Sequence, residues 1–146
     1  MISTEIDKYI MEAMKSHNEI RTAVMRMIKT KFMEYRTSKG AKPIDENVEI
    51  TLLRKMVAER EDAAEQYMAA GRTGLAENER QEAEIIKEFL PAPISEETIR
   101  QEIEYHINRG LEPVMKNMGV FIRAIKEKYP TADGSVLSRI VKSTLK

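Results

Sequence analysis

Cysteine is absent from the 146 residues, so the chain forms no disulfide, offers no thiolate nucleophile and supplies no sulfur to a zinc site or an iron–sulfur cluster. Tryptophan is absent too. Three Phe and five Tyr make up the aromatic complement, and the remaining apolar mass is Ile, Leu, Val, Ala and ten Met, a mixture that favours helix over strand. His17 and His106 are the only histidines, too few to furnish a His-based metal site or a catalytic triad readily. No apolar run is long enough to span a bilayer, and Met1, Ile2, Ser3, Thr4, Glu5 do not read as a secretory leader, so a cytoplasmic protein without membrane contact is expected. A surplus of one charge is also missing: 24 Lys and Arg balance 24 Asp and Glu, which excludes a protein that coats nucleic acid by net charge alone.

What is present is helical periodicity. Ser3, Thr4 and Glu5 offer caps to a first helix with Ile6, Tyr9, Ile10, Ala13 and Met14 on one face. After a break at Ser16 to Asn18, a second stripe runs through Ile20, Ala23, Val24, Met27, Ile28, Phe32 and Tyr35 and stops before Gly40 and Pro43. A third helix is predicted from about Asp45 to Ala70 on Leu53, Met56, Val57, Ala64, Tyr67 and Met68, with Gly71 as a left-handed stop. A fourth, roughly Thr73 to Phe89, carries Leu75, Ala83, Ile86, Phe89 and Leu90 among many carboxylates. Pro91 and Pro93 then deny amide donors and mark a boundary. Beyond it, Ser95 with Glu96 and Glu97 starts a fifth helix ending at Gly110, Lys116 to Lys128 forms a sixth closed by Pro130, and Asp133 with Gly134 opens a seventh. The expected fold is all-α: an N-terminal multi-helix domain, residues 1–90, joined by a Pro-rich hinge to a small C-terminal three-helix bundle, residues 91–146.

The zero total conceals segregation of charge. From Glu19 to Lys42 seven cations face two carboxylates, a net +5, and Lys116 to Lys146 repeats that balance, with an acidic stretch between. Local fields of this kind steer a polyanion at zero net charge. Arg26, Lys29 and Arg36 fall at steps of three and seven on one helical face, either as a solvated face or as contacts for a phosphate backbone. Lys126, Lys128, Arg139 and Lys142 are the corresponding candidates in the second basic segment. Lys31 points toward the apolar side, a position for a snorkelling stem.

Arg60 stands out because Met56, Val57, Ala64 and Tyr67 surround its helical position and put a guanidinium on the inward stripe. Glu79 and Glu82 occupy inward positions of the fourth helix, so Arg60 is either half of a structural ion pair or a substrate- or partner-binding group. His106 reads as a packed or capping histidine, since no acidic cluster or second histidine shares its face at metal spacing. Gly71, Arg72, Thr73, Gly74 lacks a preceding strand and the Walker spacing and lysine, which makes it a turn between helices.

The run from Arg60 through Glu61, Asp62, Ala63, Ala64, Glu65, Gln66, Tyr67 to Gly71, Arg72, Thr73, Gly74, Leu75, and then Glu88, Phe89, Leu90, Pro91, resembles the YqeY family, also called GatB/YqeY-like proteins. Arg21 with Arg26, Met27, Ile28, Lys29, the Met118–Gly119 pair and Ala132, Asp133, Gly134 extend the resemblance over essentially the whole chain. The resemblance implies two helical domains and a similarity to the tRNA-engaging C-terminal tail of GatB, a component of the glutamyl/aspartyl-tRNA amidotransferase. It also implies the family label of carbon–nitrogen ligase with glutamine as amido donor. The chain departs from the family pattern at Ala58, at Gly74 and at Pro130, Thr131, and two of these departures remove cations.

Amide transfer needs a glutaminase and a site that activates an acyl group with ATP and magnesium, and no residues here supply either. The leading expectation is therefore a tRNA-associated accessory module, not catalytic alone, with no catalytic residue, metal or cofactor, whose two basic segments contact one folded RNA. The alternatives are a protein-interaction module whose partner docks on the Met-rich faces and Arg60, and an amidotransferase in its own right.

Overall fold

Capping chemistry decides where most helices begin. The computed structural model describes residues 1–146, which form α1 (Ile2–Lys15), α2 (Glu19–Thr37), α3 (Glu46–Ala69), α4 (Thr73–Lys87), α5 (Glu96–Asn108), α6 (Met118–Lys128) and α7 (Gly134–Thr144), with no strand. Side-chain oxygens of Asn18, Asp45, Ser95 and Asp133 accept the amides of Arg21, Val48, Thr98 and Ser135 at the starts of α2, α3, α5 and α7. Each such bond satisfies a donor that the helix cannot.

The start of α1 departs from expectation. The helix begins at Ile2, ahead of the expected caps, and the Ser3 amide donates to Glu49 Oε1 of α3 at 2.9 Å. Glu49 is buried, and its carboxylate meets the positive end of α1 from 46 residues away.

Left-handed residues decide where three helices stop. After α3, Gly71 has φ +73, the Arg72 amide bonds the Tyr67 carbonyl at 2.8 Å and the Gly71 amide bonds that of Met68 at 3.0 Å. Gly110 ends α5 in the same way, with Leu111 bonded to His106. At the end of α1 a histidine takes this role. His17 has φ +55 and the Asn18 amide reaches the Ala13 carbonyl at 3.0 Å. A residue with a Cβ is uncommon there.

The helices pack as two compact units, Met1–Leu90 and Pro91–Lys146. In the first, Val24, Met25, Ile28 and Phe32 of α2, Leu53, Met56 and Val57 of α3, Ala83 and Ile86 of α4, and Ile2 and Ile6 of α1 form one core. The longest helix, α3, packs chiefly on α4 across the Gly71 turn, and α1 packs on α2. In the second unit Ile99, Ile103, Phe121, Ile125, Leu137, Ile140 and Val141 enclose a smaller core. Burial of each large side chain of this kind stabilises a fold by about 1.5–3 kcal/mol. A single 3-10 turn, Met115–Asn117, precedes α6 where one continuous helix from Lys116 was expected. Backbone bonds of Lys146 to Pro113 and Met115, both 3.0 Å, pin the last residue beside that turn.

Met14, Ile20, Met68 and Leu75, expected on apolar stripes, are exposed by 51%, 48%, 42% and 41%. All four lie within four residues of His17 or Gly71, at the tips of helical hairpins where the facing helix has ended. No helix is long and apolar enough to cross a membrane.

Candidate functional site

Where a cation sits on its helix fixes which carboxylates it can reach. On α2, Arg26 and Arg36 are exposed and take part in none of the chain's salt bridges. Arg26 extends toward the end of α1, with Nη2 3.7 Å from Met14 Sδ, and borders an open groove of about 320 Å³ with Met14, His17, Glu19, Thr22 and Ala23. Lys29, one turn along, bends to α1 and donates to Asp7 Oδ1 at 2.6 Å. The three residues grouped by spacing therefore divide into two open cations and one tied to a carboxylate. Lys31 is half-buried and reaches Glu34 at 3.5 Å. Arg21 pairs with Glu88 and lies over the Phe89 ring at 5.7 Å, so it ties α2 to the end of α4.

The C-terminal unit divides its cations in the same manner. Lys126 and Lys142 are exposed and outside the salt bridges, and Lys126 Nζ lies beside Gly134 at the start of α7. Lys128 donates to Glu102 Oε1 at 2.6 Å. That bond holds the Lys128 ammonium above the usual lysine value, since the nearby carboxylate favours the charged form. Arg139 donates to Glu96 Oε1 at 2.8 Å, while Arg100 reaches the other oxygen at 3.4 Å. The Arg139 guanidinium, more than that of Arg100, pulls the Glu96 carboxyl below its ordinary value. Counted by unit, residues 91–146 carry nine cations against seven carboxylates, whereas residues 1–90 carry fifteen against seventeen. The net-positive unit is the C-terminal one.

Arg60 is largely buried, its side chain 11% exposed, and its donors point inward. Nε bonds Glu82 Oε2 at 3.2 Å, Nη1 bonds the Met56 carbonyl at 3.0 Å, and Nη2 lies 3.0 Å from Met27 Sδ. Glu79 is half-buried and is not among these partners. The cluster thus joins α2, α3 and α4 at one point. His106 is half-buried and meets the Tyr105 ring edge-on at 5.2 Å.

Sequence reasoning passed over the surroundings of that histidine. Tyr105 is exposed, the Arg109 guanidinium lies 4.8 Å from its ring centroid, and Lys128 lies 5.7 Å from the ring of Tyr129. The spacing of Tyr105 and Arg109, four residues apart on one helix, was the available signal.

Residues 3–145 match the family model described as Yqey-like protein. The chain belongs to the YqeY-like family. The match takes in both units and Arg26, Lys29, Arg36, Arg60, Lys126, Lys128, Arg139 and Lys142. The chain is also similar to an uncharacterized protein of Schizosaccharomyces pombe, 29% identical over 87 residues, which cover 59% of this chain and 69% of that protein.

Proposed function

We propose that this YqeY-like protein is a tRNA-associated binding module that holds RNA by its phosphate backbone. The observation that carries the reading is that four cations singled out in the two basic segments, Arg26, Arg36, Lys126 and Lys142, are exposed and outside the salt bridges in a chain of zero net charge. A charge already neutralised by a protein carboxylate gains little from a phosphate, because the first partner must be displaced. Lys29, Lys128 and Arg139 stand in that position, held by Asp7, Glu102 and Glu96. An open cation instead releases the counterions condensed on RNA when it docks, which drives binding without reading sequence. The similarity of the family to the amidotransferase tail supports tRNA as the class of RNA.

A mobility shift with total tRNA at low salt tests the reading. The parent should shift tRNA, and a variant with Arg26, Arg36, Lys126 and Lys142 all changed to Ala should need at least about tenfold more protein. Equal shifts by the two proteins would dismiss these residues as the contacts.

A further inference from the structure

Of the chain's eight Phe and Tyr, only Tyr105 is exposed, by 48%; the others are buried or half-buried. The position is not simply a loose surface ring. Arg109, one helical turn on, lays its guanidinium against the ring at 4.8 Å, and His106 abuts it edge-on at 5.2 Å with an interplanar angle of 82°. The ring is thus held in place by its own helix while part of its surface stays in water.

The C-terminal end of α6 brings more of the same chemistry to this part of α5. Lys128 Nζ bonds Glu102, three residues before Tyr105, and lies 5.7 Å from the centroid of the Tyr129 ring. The charge of Glu102 on that helix is thereby compensated by Lys128. An aromatic ring with the Arg109 guanidinium beside it is complementary to a flat base joined to a phosphate. The base stacks on the ring and the phosphate meets the guanidinium.

We propose that Tyr105, backed by Arg109, is a stacking platform for an unpaired RNA base. The proposal rests on the RNA-binding reading above and adds to its phosphate contacts a contact with bases. Stacking needs a base free of its duplex, so the platform distinguishes single-stranded from fully paired RNA.

The test uses the full chain with two labelled probes, a short single-stranded RNA of mixed sequence and a blunt duplex RNA, followed by anisotropy at low salt. Tyr105→Ala should weaken single-strand binding by about 5- to 150-fold, the range found for loss of one aromatic–base stack, and leave duplex binding unchanged. Tyr105→Phe, which keeps the ring, should stay within about twofold of the parent on both probes. Tyr105→Leu keeps apolar packing against His106 but not the π-face, and should behave as the Ala variant does even if that variant folds poorly. Since the chain lacks Trp, quenching of tyrosine emission by the single strand should be visible in the parent and reduced in Tyr105→Phe. Unchanged single-strand affinity in Tyr105→Leu, or equal losses on both probes, would overturn the platform. So would a parent that shifts tRNA but ignores the single strand, and that outcome would leave the backbone reading intact. Conversely, Tyr105-dependent single-strand binding beside unaltered tRNA binding by the four-alanine variant would uphold the platform and sink the assigned phosphate contacts.

Discussion

At Arg60 a single side chain joins three helices. A guanidinium at 11% exposure is stable because a carboxylate, a carbonyl and a thioether surround its donors. Replacement by Met keeps much of the apolar stem and removes the head, leaving Glu82 half-buried without its cation. Because Glu82 retains 27% exposure and can recruit water, Arg60→Met should destabilise the fold by about 2 kcal/mol, less than the roughly 3–5 kcal/mol for breaking a fully buried pair. Urea unfolding measures this, and tRNA mobility shifts should be unchanged. An unaltered midpoint with lost RNA binding would instead make Arg60 a ligand contact. Helical phase alone put Arg60 and Glu82 on facing stripes. It could not separate Glu82 from Glu79, since the choice depends on how α4 is rotated against α3, and it gave no hint of Met27 as a neighbour.

Helix ends show where local reading succeeds and where it fails. The starts at Ser95 and Asp133 and the stops at Gly71 and Gly110 follow from a residue's own preference and lie where the sequence puts them, while Asn18 and Asp45, not expected as caps, fall at the expected break and start. Glu49 on the start of α1 has no local signature, because the partner is remote in sequence, and the left-handed His17 is hidden by its side chain. The start of α5 supplies a pH-dependent prediction. Glu96 bridges Arg139 and Arg100, and its carboxyl in the folded chain titrates below its ordinary value. The pairing therefore stabilises the fold above the ordinary value of 4.5 and fades as pH falls through the lowered one. Glu96→Gln should melt slightly below the parent at neutral pH, by the small amount typical of exposed pairs, with the difference closing as pH falls well below the ordinary value of 4.5. Melting curves collected across that range check it; a difference that persisted unchanged in acid would contradict the assignment to charge.

Over the whole molecule, the all-helical fold and the order of its seven helices were legible because apolar spacing repeats with helical period and no stretch alternates as a strand does. The pairing state of the cations was not legible. Net charge along a segment counts Lys128 and Lys142 alike, and only tertiary packing sets Glu102 beside one and leaves the other in water. The same holds for Tyr105, whose scarcity as an exposed ring emerges only when the other aromatics are seen to be covered. The account's central claim is that the open cations of this YqeY-like chain engage an RNA backbone, and the salt dependence of tRNA affinity tests it most directly. Four phosphate contacts at about 0.7–0.9 each predict that the logarithm of the association constant falls with the logarithm of salt concentration at a slope of about −3. A slope near zero, or no binding at the lowest salt, would contradict it.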